Sequence, residues 1–221
     1  MPFHVAAWED ALGRYGISAG SAELYELEGI PTADVVDLLA ERHNPGLSAA
    51  ARAEITSRKR RRYAEIFVPR PLPGARQLVE LLDRLGYRLS LVTGTVRSSG
   101  EQALDQLGVR DLFAVIVSAD DVSAGKPAPE PYLRALRALG VAPANCLVIE
   151  NAPPGIAAAH AAGLRCVVVA TYLPAATLRA LPGAYATFDT IAGLTEWIRD
   201  EAARSGAQGS FLLSSMAASE S

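Results

Sequence analysis

The sequence predicts an α/β protein: a parallel sheet covered by helices on both faces, preceded by a stretch of helices alone. Two observations predict it. Residues 1 to about 68 repeat their apolar side chains at helical spacing and show no strand pattern. From the PRPLPG stretch at 69–74 onward, short apolar runs alternate with helical segments, which is the pattern of strands joined by crossover helices. The runs RLSLVTG, FAVIVS, CLVIE and CVVVA are nearly continuous in apolar residues, as strands buried on both faces are.

In the first part, Val5, Trp8, Leu12 and Tyr15 mark one helix, the segment opened by Pro31-Thr32-Ala33-Asp34 a second, and Ser48 to Phe67 a third, with Gly16, Gly20, Gly29, Pro45 and Gly46 in the connections. In the second part, helices are expected at about 74–86, 98–108, 129–140, 153–163 and 191–203, with a weaker strand at Tyr185–Phe188. The last residues, SGAQGSFLLSSMAASES, are small and polar apart from Phe211-Leu212-Leu213 and read as a disordered tail.

Composition narrows the function. The net charge of −3 gives no electrostatic case for nucleic acid as the main partner. No run of eighteen apolar residues suggests a membrane span, and the N-terminal residues have no signal-peptide pattern. Cys146 and Cys166 each precede an apolar run and read as buried thiols of a reduced, cytoplasmic protein.

Ligands of open α/β sheets bind at the carboxyl ends of the strands. The first such end is Thr93-Gly94-Thr95, followed by Ser98-Ser99-Gly100-Glu101. A hydroxyl, a glycine and a helix start with capping-box spacing between Ser98 and Glu101 suit an anion, although an ordinary capped turn reads the same way. At the second, SAGKPAPEPY, prolines stiffen a loop that carries Lys126; the alternative is a solvated lysine beside a helix start. At the third, LVIENAPPG, Glu150 and Asn151 offer a carboxylate and an amide oxygen, a donor set for Mg²⁺, unless Asn151 only caps the next helix. His160 reads as structural.

Taken in order, Thr93, GKPAPEPY and IENAPPGIAAAHAAG resemble the haloacid dehalogenase-like superfamily, in its branch of small phosphatases and phosphoglucomutase-like enzymes. The resemblance implies a Rossmann-like core at 71–203 with an N-terminal helical cap at 1–70, leaving 204–221 as the tail. It implies that Thr93 and Lys126 hold a transferring phosphoryl group, with Gly94 and Thr95 beside it. Glu150 and Asn151 would hold Mg²⁺; Asn151 replaces the usual second acid, which predicts weaker metal binding.

Lys59 lies four residues from both Ile55 and Tyr63 and shares their apolar face. By resemblance it looks toward the substrate, as does the cap segment EGIPTADVV, where Gly29 lets the backbone approach. The other basic residues of RKRRRY are expected at the surface. Thr32 stands where β-phosphoglucomutase has an arginine for a distal phosphate, so hydrolysis of a small phosphorylated metabolite, such as a sugar phosphate, is favoured over a phosphosugar mutase.

Members of this family begin with a strand ending in Asp-x-Asp, the nucleophile and the acid/base. The sequence has no such motif; MPFHVAAWEDAL resembles the stretch just after it, where the first cap helix begins. The expectations are a truncated chain, with the aspartate upstream of Met1, and a core lacking its central strand. The rival expectation is a phospho-ligand-binding remnant without catalysis. That Phe211-Leu212-Leu213 fills the empty position is the disfavoured alternative.

Overall fold

The computed structural model describes residues 2–68, 71–205 and 210–213. The first part is helical: α1 (Pro2–Leu12), α2 (Ser21–Glu26), α3 (Thr32–His43) and α4 (Ala49–Ile66). Trp8, Leu12, Leu24, Val36, Leu39 and Ile55 form their common core. The sequence pattern marked three of these helices; the six-residue α2 is too short to show a period. Ser48 caps α4 by accepting the Ala51 N–H at 3.2 Å.

The second part alternates as expected. Its elements are α5 (Ala75–Arg84), β1 (Arg88–Val92), α6 (Arg97–Leu107), β2 (Phe113–Val117), α7 (Glu130–Leu139) and β3 (Cys146–Glu150). They continue with α8 (Pro153–Ala161), β4 (Arg165–Val169), α9 (Ala175–Arg179), β5 (Ala184–Phe188) and α10 (Ile191–Ser205). Leu78, Leu82, Leu104, Leu194 and Ile198 of α5, α6 and α10 pack on one face of the sheet. Tyr132, Leu136, Ile156 and Ala159 of α7 and α8 pack on the other. Two separate apolar layers on one sheet are what buried parallel strands require.

The sheet order is β2-β1-β6-β3-β4-β5, where β6 is Ser210–Leu213. This corrects two expectations. The central position is not empty, and the C-terminal residues are not wholly a disordered tail. β6 runs parallel to both neighbours, with Leu213 level with Leu91 of β1 and Ile149 of β3. The physical reason is hydrogen-bond satisfaction: without a strand there, the inward edges of β1 and β3 would bury unpaired backbone groups.

A smaller correction concerns α6. Its N-cap is Val96, and Ser98 and Glu101 form no capping box. The Arg97 N–H is instead taken by Asp120 Oδ2 at 2.8 Å, a carboxylate from the loop after β2, so a tertiary partner replaces the local one.

Candidate active site

Three strand ends and one loop of the helical layer meet above β1, β3 and β6. Thr93 follows β1, and its N–H continues the ladder to the Val117 carbonyl at 2.8 Å. Its hydroxyl accepts the Thr95 N–H at 3.1 Å and pairs with the Thr95 hydroxyl at 2.9 Å. The turn is thereby folded back on itself with two hydroxyls side by side.

The loop carrying Lys126 is braced by Glu130, whose carboxylate accepts the N–H groups of Ser123 and Ala124 at 3.0 and 2.8 Å. Those two bonds hold the Glu130 carboxyl below its usual range. Lys126 is 2% exposed and points inward. Its Nζ donates to Glu150 Oε1 at 2.6 Å and to the Val92 carbonyl at 3.2 Å.

Glu150 is 1% exposed, at the end of β3. Oε1 also accepts the Tyr132 hydroxyl at 2.6 Å. Oε2 accepts the N–H groups of Asn151 and Ala152 at 3.0 and 3.4 Å. Gly155 makes this packing possible, since a Cβ there would stand 1.8 Å from Glu150 Oε1. Asn151 does not cap α8, whose N-cap is Ala152. Its Nδ2 donates to Thr171 Oγ1 at 2.9 Å.

A carboxylate offers about four lone-pair positions, and protein donors already take four bonds to Glu150. A cation could bind Glu150 directly only by displacing one of them. As it stands, Glu150 fits the work of fixing Lys126 and orienting the turn that carries Asn151. The Asn151 amide oxygen is a hard donor of the kind Mg²⁺ accepts. Glu28 is the neighbouring carboxylate that could share a cation with it.

Glu28 is a residue that the sequence pattern did not mark. It precedes Gly29 in the loop after α2 and lines the cavity, near enough to Asn151, Glu150 and Lys126 for all three to act on its carboxyl. Burial pushes its carboxyl up to about 7 and the nearby Glu150 charge adds to this, while Asn151 and Lys126 oppose it. Glu28 itself is half-buried.

The cavity is about 140 Å³. The helical layer contributes His4, Glu28, Gly29, Thr32, Lys59 and Tyr63; the sheet side contributes Thr93, Gly94, Thr95 and the start of α6. Gly29, Lys59, Thr93, Gly94 and Thr95 therefore share one cavity, with Lys126, Glu150 and Asn151 packed beside it as a buried network. Gly29 has φ of +87°, and its Cβ position would lie 3.5 Å from Lys126 Cδ. Arg60, Arg61 and Arg62 are exposed as expected, Arg60 at the edge of the cavity, and Arg58 is half-buried and pairs with Asp10 at 2.8 Å.

Lys59 is 5% exposed. Its Nζ lies 3.1 Å from His4 Nδ1 and 5.1 Å from the ring centres of Trp8 and Tyr63. The His4 ring stacks on Tyr63 at 4.2 Å. Burial, aided by the Lys59 charge, holds His4 well below its usual range, so Nδ1 is an acceptor for the ammonium. Burial, with some repulsion from Arg60, pushes Lys59 down to about 7.

This has a testable consequence for stability. The unfolded chain keeps the Lys59 proton up to its ordinary value of 10.5, the folded chain only to about 7. Between the two the unfolded state binds more protons, so stability rises with pH across that window. Lys59→Met should stabilise the protein by roughly 2–4 kcal/mol near pH 7. The gain should shrink as pH approaches 10.5, as measured by denaturant unfolding at several pH values.

A hydroxyl turn, a buried lysine and a helical cover stand together at the strand ends of a parallel sheet. A profile for haloacid dehalogenase-like hydrolases matches residues 2–163, and the chain belongs to that family, in its branch of phosphatases and phosphosugar mutases. It is 34% identical over 171 residues to a fructose-1-phosphate phosphatase of Escherichia coli, covering 76% of this chain and 88% of that one. It is 39% identical over 129 residues to the protein CbbY of Rhodobacter capsulatus, covering 56% of this chain and 57% of that one. The crystal structure of a β-phosphoglucomutase from Clostridium difficile superposes with a TM-score of 0.75 at 25% identity, over 91% of this chain and 90% of that one. Among the described residues no helix is long and apolar enough to cross a membrane.

Proposed function

We propose that the chain is a Mg²⁺-dependent phosphohydrolase of the cytoplasm acting on a small phosphorylated metabolite of the sugar-phosphate type. The observation that carries this reading is the hydroxyl turn at Thr93–Thr95, beside the buried Lys126 and roofed by a layer that carries Lys59. In this reading the Thr93 hydroxyl and the Gly94–Thr95 backbone orient the phosphoryl oxygens. Lys126 offsets their charge. Lys59, with Gly29 beside it, contacts the alcohol part of the ester. Residues 1–70 act as a cap that excludes water from the closed cavity over the core.

Mg²⁺, bound through the Asn151 amide oxygen with Glu150 behind it, would supply further charge neutralisation at the phosphoryl group. By family the phosphoryl group passes to an aspartate of an Asp-x-Asp strand. That motif is absent from the 221 residues, and β6 holds the central place in the sheet, so the residues described supply no such aspartate. Thr32 lines the cavity where a cation for a distal phosphate would stand, which supports the phosphatase over the mutase.

The test is phosphate release from a panel of small phosphate esters, with and without Mg²⁺, using protein isolated from its host at native length. Release that needs Mg²⁺, and that Thr93→Val lowers by about 10²-fold or more, is the expected result. Failure to hydrolyse any ester would remove the reading, and isomerised product in place of phosphate would turn it toward the mutase.

A further inference from the structure

An amide is a one-sided ligand. Of its two end atoms only Oδ1 can hold a hard cation, because Nδ2 carries two N–H donors and turns their positive ends outward. A carboxylate has two equivalent oxygens and no wrong end. A metal site that uses Asn151 where a carboxylate would serve therefore needs a group that decides which end of the amide faces the cation.

Such a group stands at the end of the next strand. Asn151 Nδ2 donates to Thr171 Oγ1 at 2.9 Å, and Asn151 is buried, so its N–H groups have little water to turn to. Thr171 follows β4, the neighbour of β3, and its backbone is set from both sides. Before it, the Ala170 N–H continues the ladder to the Phe188 carbonyl at 2.8 Å. After it, the Tyr172 ring lies 5.5 Å from the Tyr25 ring of α2. The Thr171 hydroxyl is thus a fixed acceptor for one end of a planar amide, and fixing one end fixes the other.

Resting on the reading of Asn151 as a Mg²⁺ ligand, we infer that Thr171 is a positioning residue of the metal site: its hydroxyl takes the amide N–H and commits Oδ1 to the cation. Partners of this kind orient the groups that ligate a metal and govern its affinity without touching it. Without the hydroxyl, the amide N–H is buried with no acceptor there, and the side chain is free to turn its nitrogen toward the ion. The loss then falls on metal binding.

The probe is Mn²⁺, which shares the preference of Mg²⁺ for oxygen donors. It is titrated into the full chain, and the free ion is read by electron paramagnetic resonance. Thr171→Val keeps the shape and should weaken Mn²⁺ binding by at least ~10-fold, the loss that follows removal of a ligand's hydrogen-bond partner. Thr171→Ser should restore most of the affinity. With Asn151→Asp already in place, the same Thr171→Val change should cost ~3-fold or less, since either carboxylate oxygen can face the ion. Unchanged affinity in Thr171→Val, or an equal loss beside Asn151→Asp, overturns the inference. Mn²⁺ binding that survives Asn151→Ala, or no binding by the wild type, removes the reading of Asn151 as a ligand together with the inference.

Discussion

Removing residues 206–221 is expected to abolish cooperative folding. The deletion takes out β6, the central strand, which pairs in parallel with β1 on one side and β3 on the other. An edge strand can be lost with its outer groups already facing water. A central strand leaves two inward-facing rows of N–H and C=O groups without partners. Each buried group left unpaired costs about 1–3 kcal/mol, so a handful equals the whole net stability of about 5–15 kcal/mol. The two sheet halves, β2-β1 and β3-β4-β5, would also lose the strand pairing that joins them among the described residues. Thermal unfolding by circular dichroism should show a broad, non-cooperative transition for the shortened chain. A sharp transition within a few degrees of the full chain would show that β6 contributes little to the sheet.

Lys126→Met is expected to have the next largest effect, and on both stability and binding. Lys126 and Glu150 form an ion pair in which both side chains are at most 2% exposed. Taking one partner from a buried pair costs about 3–5 kcal/mol, because the remaining charge has no water to turn to. For a chain of this size the midpoint should fall by about 10 °C or more. Adding Glu150→Gln removes the stranded charge and should restore much of the lost stability, since Tyr132 and the Asn151 N–H can still bond the amide. It should not restore phosphate affinity, because the cation is still missing. Recovery of both properties together would mean that Lys126 acts only on the fold.

Most of the sheet was legible in the sequence because its strands are apolar runs of five residues between helical segments, and burial on both faces demands such runs. β6 was not legible. Its four residues sit in a small, polar stretch, and the reason they form a strand is the open edges of β1 and β3, which no local pattern reports. The same distinction divides the site. Thr93, Lys126, Glu150 and Asn151 follow strands or stiff loops, so the rule that ligands gather at strand ends was enough to mark them. Glu28 comes near Asn151 across more than a hundred residues of chain, and no local pattern reports that approach. His4 was missed for a related reason. One turn before Trp8 on α1, it looks like any polar helix residue until α4 places Lys59 against it. Ser98 and Glu101 show the converse, a local capping signal overruled by Asp120 from a distant loop.

The central claim is that the Thr93–Thr95 turn beside Lys126 is where a phosphoryl group binds. Calorimetric titration of inorganic phosphate into the wild type and Thr93→Val, in the presence of Mg²⁺, tests it most directly. One phosphate per chain is expected for the wild type, with the substitution weakening it at least ~10-fold through loss of the hydroxyl donor and of the bond that folds the turn. Equal affinity in the two proteins, or no binding by the wild type, would contradict the claim.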